Sequence, residues 1–195
     1  MEQTRKEILE ATLRALSSHG YADITMRDIG EELNKDRSLI HYYFQNRRGL
    51  IADTLDYLLE YFVESLPRKE NETAWRNLER CIQHYAYGPS EGNLPISNNE
   101  AYQILYEIRG LSAREPEHQT LLIEQYERIV SEFSEIIAVG RDQSEFIDID
   151  PIQIGKMIVD LIDAARERQV VFDDQQALSD AKDSINQILL PAISS

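Results

Sequence analysis

Between Thr25 and Arg47 the chain gathers side chains that can donate to, or pack on, a nucleic-acid surface: Thr25, Arg27, Lys35, Arg37, Ser38, Leu39, His41, Tyr42 and Arg47. Read as a helix starting after Asp36, the segment turns Ile40, Tyr43 and Phe44 to one side and Arg37, Ser38, His41 and Tyr42 to the other. An outer face of guanidinium, hydroxyl, imidazole and phenol is a donor set suited to the major groove of DNA. Arg37 can grip a guanine edge bidentately, worth roughly 1–3 kcal/mol of discrimination, or hold a phosphate instead. Leu39 can meet a thymine methyl or pack inward. Thr25, Arg27 and Arg47 stand near helix starts, where backbone N–H groups already favour phosphate. Ser38 is small enough to let the helix approach closely.

Two short helices and a tight turn must position these groups. Met26, Ile29 and Leu33 recur at helical spacing and form one buried face. Thr25 is placed to cap the first helix, and Asp36 the second. Gly30 lets a crossing helix come close, and Asn34 tolerates the left-handed backbone of a turn.

Residues 5–50 resemble the DNA-binding head of TetR-type transcriptional regulators. The resemblance rests on a first helix ending in His19-Gly20-Tyr21, then Thr25-Met-Arg-Asp-Ile-Gly30, Ile40-His-Tyr-Tyr-Phe44 and Asn46-Arg-Arg-Gly-Leu50. Lys35 stands where a small apolar residue is common in the family, and Leu39 where Thr or Ser is common. The resemblance places His41 and Tyr42 on phosphates and bases. It implies a three-helix helix-turn-helix domain over residues 1–48, followed by a helical effector-binding and dimerisation domain over 49–195. The segment Glu107-Ile-Arg-Gly-Leu-Ser-Ala-Arg-Glu-Pro116 and the final helix pair are also similar, more weakly, to the choline-responsive betaine repressors of that family.

Charge sits uneasily with a polyanionic partner. The net charge is −15, from 20 basic and 35 acidic residues. Residues 1–50 hold eight of each, so the rest of the chain carries the whole excess. The basic groups of the head do cluster beside the groove helix, at Arg27, Lys35, Arg37, Arg47 and Arg48. Lysine is scarce, with 5 Lys beside 15 Arg. Acid excess with little lysine resembles the proteins of salt-accumulating halophiles; the alternative is an acidic, solvated body without further meaning. At roughly 1 M salt the Debye length is only about 3 Å, so the repulsion from that body vanishes. Operator binding is then expected to survive salt that dissociates an ordinary repressor.

The hydropathy pattern predicts an all-α chain of about nine helices. They run near Arg5–Ser18, through the helix-turn-helix, from Asn46 to Leu66, Thr73 to Tyr87, Asn98 to Leu111, Pro116 to Asp142, Asp150 to Phe172, and Gln175 to Leu190. The helix after Asn46 carries Tyr57, Leu58, Tyr61 and Phe62 as a stripe, followed by a charged linker, Arg68 to Glu72. The lone Cys81 forms no intrachain disulfide, and no apolar run is long enough for a membrane span. With no secretory segment at the N-terminus, cytoplasmic residence is expected.

Apolar faces on the last two long helices, Ile154, Ile158, Leu161, Ile162 and Ala165 with Leu178, Ala181, Ile185, Ile188 and Leu189, are either core or a homodimer interface. The resemblance favours the dimer, packed as a four-helix bundle. Two heads spaced about 34–36 Å apart then meet successive major grooves of a roughly palindromic operator on double-stranded DNA. Trp75, Tyr85, Tyr102, Tyr106 and Tyr126 could line a pocket for an apolar or cationic small-molecule inducer, with Arg109 meeting a carboxylate, or could be core packing. His19, His41, His84 and His118 are scattered without metal-ligand spacing, so no metal, no cofactor and no enzyme is expected. The expectation is thus a homodimeric repressor released by a ligand. The alternative is a helical ligand-binding or protein-interaction module without specific DNA binding.

Overall fold

The computed structural model describes residues 2–33, 35–36, 38–90, 92–112 and 116–195. They form α1 (Glu2–Asp23), α2 (Met26–Glu32), α3 (Ser38–Tyr43), α4 (Arg47–Glu64), α5 (Ala74–Tyr87), α6 (Asn98–Ser112), α7 (Pro116–Asp142), α8 (Pro151–Phe172) and α9 (Ala177–Ser184). α9 continues through a π-helical turn, Ile185–Leu189, into a last short helix, α10 (Leu190–Ile193). Among the described residues the extended backbone amounts to one isolated bridge, Phe146 to Ser194. No described helix is long and apolar enough to cross a membrane.

Local chemistry sets the helix ends. Thr25 and Asp28 form a reciprocal capping box at the start of α2, each side chain accepting the other's backbone N–H. Asn46 Oδ1 accepts the Gly49 N–H at the start of α4, and Thr73 accepts that of Arg76 in α5. Asp150 accepts from Ile152 and precedes Pro151, whose missing N–H costs nothing in a first turn. α1 extends beyond the predicted end near Ser18, with a break at Gly20, where φ is +72°.

The chain packs as two compact units: Met1–Tyr61 with Glu91–Ile123, and Phe62–Ser90 with Glu124–Ser195. In the first, α1 buries Ile8, Leu9, Ala11, Thr12, Leu13, Ala15 and Leu16, more than a single stripe, because both α2 and α6 pack on it. The unit holding the head therefore reaches past residue 48 to include α6 and the start of α7. The second unit is built around Leu78, Ile82, Phe133, Ile137, Phe146, Ile158, Ile162 and Ile185.

That second core corrects most of the expected dimer interface. Ile158, Ile162, Ala165, Leu178, Ala181 and Ile185 are buried within the chain's own core, and Ile154 and Leu189 pack against it. Only Leu161 and Ile188 of the ten are exposed, at 39% and 70%. α8 carries apolar residues on two sides: one stripe fills the core, while Met157, Leu161, Ala164, Val171 and Phe172 face outward. The π-helical turn then shifts the phase of the last helix by one residue. Ile185 is followed inward by Leu190 and Ile193, and Ile188 is turned out.

A buried guanidinium ties this unit together. Arg166 on α8 donates to the carbonyl oxygens of Tyr85 (2.5 Å) and Ala86 (2.8 Å), in the last turn of α5. A cation there meets the negative end of the helix dipole as well as carbonyls that lack helical partners.

Candidate DNA-reading surface

The helix-turn-helix stands on α1. Ile29, Leu33, Ile40 and Phe44 are buried, fixing α2 and α3 by their inner faces. The backbone N–H of Ser38 donates to Asp36 Oδ1 at 2.8 Å, which starts α3, and this contact holds the Asp36 carboxyl below its usual range. Ser38, His41 and Tyr42 all face outward from α3 as predicted, Tyr42 with 75% of its surface exposed. The Tyr42 ring stands edge-on to Tyr43, with centroids 5.2 Å apart. Leu39 is half-buried. Arg37, the expected base-reading cation, and Asn34 of the turn lie outside the described residues.

The other cations are tied into the head. Lys35 pairs with Glu7 of α1, and Arg27 with Glu31 at 2.9 Å, one turn along α2. Arg14 pairs with Glu32, Arg5 with Asp53 and Lys6 with Glu10. Arg47, at the first position of α4, donates to the Tyr21 carbonyl oxygen and lies over the Tyr21 ring, 4.9 Å from its centroid. Its guanidinium is thus a brace between α4 and the end of α1. The Thr25 hydroxyl is engaged by Asp28 at 2.6 Å. The acidic partners, Glu7 and Glu31 above all, escaped the sequence reading; Arg27–Glu31 is legible as an (i, i+4) pair, whereas Glu7 and Lys35 are brought together only by the fold.

The six residues proposed for an aromatic pocket divide between the units. Tyr102, Tyr106 and Arg109 belong to the first, where Tyr102 is buried and the Arg109 guanidinium lies over the Tyr106 ring at 5.0 Å. Trp75, Tyr85 and Tyr126 belong to the second. There the half-buried Trp75 packs on Phe146 at the edge of the core, and Tyr85 stands edge-on to Phe133 within it. Tyr85 and Tyr126 donate their hydroxyls to Asp163 and Asp160 on α8, at 2.7 and 2.9 Å. Burial, then Asp160, pushes the Tyr126 phenol up to about 12. A cleft of about 350 Å³ in this unit is lined instead by Arg68, Asn77, Glu135, Val139 and their neighbours, and by none of the six.

A capped helix pair with an exposed, polar second helix defines a helix-turn-helix DNA-binding protein. The family model described as "Bacterial regulatory proteins, tetR family" matches residues 8–54. Over 178 residues the chain is 24% identical to the HTH-type transcriptional regulator YfiR of Bacillus subtilis, covering 90% of this chain and 84% of that one. The crystal structure of a TetR transcription regulator from Haloarcula marismortui superimposes with a TM-score of 0.88 over 100% of both chains, at 28% identity. A transcriptional regulator from Saccharomonospora viridis, solved in complex with choline, shares the fold at a TM-score of 0.77 and 18% identity, again over 100% of both chains. Residues 8–54 thus match the tetR-family DNA-binding head, and over its whole length the chain is similar to TetR-type transcriptional regulators.

Proposed function

We propose that this regulator is a cytoplasmic homodimeric repressor that binds a roughly palindromic operator and leaves it when a small molecule binds the body. The observation that carries the proposal is the outward face of α3, where Ser38, His41 and the 75%-exposed Tyr42 stand clear of the core. Arg37 precedes them in the sequence as the candidate guanine contact, with Leu39 at the margin of the face. Thr25, Arg27, Lys35 and Arg47 flank it as candidate phosphate contacts, Arg27 and Lys35 by giving up internal partners.

The second copy is assigned to the outer face of α8 and the π-helical turn. Met157, Leu161, Val171, Phe172 and Ile188 together form an exposed apolar surface of the kind that marks a protein interface. This replaces the inner face inferred from the pattern alone. For the inducer, the choline bound by the Saccharomonospora viridis regulator supports a small cationic ligand. The two tyrosine–aspartate pairs that join α5 and α7 to α8 are a chemically suitable environment for one. The acidic, lysine-poor composition supports work at high salt.

The ion-paired, neutral head favours one competing reading, a helical module without specific DNA binding. Capture of sheared genomic DNA by the full chain, followed by sequencing, separates the two. The repressor reading predicts a few fragments sharing two inverted half-sites. Their centres should lie about one helical turn, or a multiple of it, apart. Fragments without any common sequence support the module.

A further inference from the structure

We propose that Glu107, on α6 and far in sequence from the helix-turn-helix, is a positioning residue for DNA reading. Its carboxylate Oε1 accepts the backbone N–H of Tyr21 at 2.9 Å. Tyr21 follows Gly20, whose φ of +72° and ψ of 165° interrupt α1 in a region that essentially only glycine enters. A Cβ on residue 20 would lie 3.2 Å from the same Glu107 oxygen, so the break and the carboxylate fit each other closely.

From Tyr21 the contact passes on toward the groove helix. The Tyr21 carbonyl accepts from Arg47, and its ring lies under the Arg47 guanidinium. Arg47 opens α4, three residues after Phe44, the buried residue that closes the α3 segment. One turn earlier on α1, Ser17 donates to Glu100 Oε1 at 2.6 Å. Glu100 and Glu107 are seven residues apart, two turns along one face of α6. Two carboxylates of α6 thus clasp the end of α1. The Glu107 contact is the one that continues, through a single residue, to the base of the recognition helix.

This inference rests on the operator-binding reading, and the wild-type control separates the two. Operator affinity and affinity for random-sequence DNA are measured by fluorescence anisotropy on the full chain, with amide hydrogen exchange at Tyr21. Glu107→Ala removes the acceptor and should weaken operator binding about tenfold, the scale of one hydrogen bond to a charged group. Random-sequence binding should stay level or rise, because a negative charge has been removed. A purely electrostatic effect would strengthen both. The Tyr21 amide should exchange about tenfold or more faster. Glu107→Gln keeps an acceptor oxygen and should stay within about threefold of wild type. Wild-type operator affinity in Glu107→Ala, or a Glu107→Gln variant as weak as Glu107→Ala, overturns the proposal. A wild-type chain that prefers no sequence overturns the operator reading, and the positioning role with it.

Discussion

The Lys35 ammonium is held by the Glu7 carboxylate of α1, and that hydrogen bond draws Glu7 below its ordinary range. Lys35 stands in the turn leading to the recognition helix, where an unpaired cation would be drawn to phosphate. Arg27, Arg14, Arg5 and Lys6 are likewise paired within the head. When such a cation swaps its carboxylate for a phosphate, the abandoned carboxylate takes up a solution cation. The net release of counterions that normally drives DNA binding is then small.

Operator binding should accordingly depend weakly on salt. Between 50 and 200 mM KCl the affinity is expected to fall by less than about 30-fold, against roughly 10³–10⁵ for a protein with six to ten phosphate contacts. Glu7→Gln frees Lys35 and should steepen the log–log slope by about one per head. A titration of wild type that loses a thousandfold or more across that range would contradict the pairing argument.

Substitution on the exposed apolar surface and on the inner face of α8 should have opposite consequences. Leu161→Glu or Ile188→Glu places a charge on the exposed face and should yield a folded monomer by sedimentation equilibrium. Ile162→Ala, on the inner face, should cost about 2–5 kcal/mol in urea unfolding while the surviving folded protein still dimerises. A dimer that withstands both glutamate variants excludes this surface.

Arg166 should be indispensable to the second unit. Arg166→Leu strands two buried carbonyls of the α5 C-terminus and is expected to cost roughly 2–5 kcal/mol in chemical unfolding. A loss below about 0.5 kcal/mol, the level of an ordinary surface change, would show that the contact is dispensable.

Acid should loosen the α1–α6 clasp through Glu100. Hydrogen bonds from Ser17 and then Ser97 hold its carboxyl at about 2, below its ordinary 4.5. A depressed carboxyl stabilises the folded state above its unfolded value. That contribution is lost as pH falls from about 4.5 through about 2. Thermal unfolding of wild type should therefore drop more steeply across that window than that of Glu100→Gln. Parallel curves would remove Glu100 from the clasp.

The parts of the fold legible in the sequence are those that local chemistry decides. Pro116 and Pro151 mark the starts of α7 and α8, and Thr25, Asn46, Thr73 and Asp150 cap as their types suggest. The inward Ile40 and Phe44 and the outward Tyr42 follow from helical period alone. The phase of α8 does not, because a helix apolar on two sides offers two equally good faces, and only packing decides between Ile162 and Leu161. The π-helical turn that expels Ile188 has no local signature either. The clasp joins Tyr21 to Glu107, and no sequence spacing announces a contact between a backbone N–H and a carboxylate 86 residues away.

Selection of binding sites from random duplexes tests most directly the proposal that the outward face of α3 reads DNA. Wild type should enrich a motif of two inverted half-sites, at low and at molar KCl alike. His41→Ala and Tyr42→Ala should blur particular positions of that motif while leaving the fold unchanged by circular dichroism. Absence of any enriched motif at either salt, or a motif identical in all three proteins, would contradict the account.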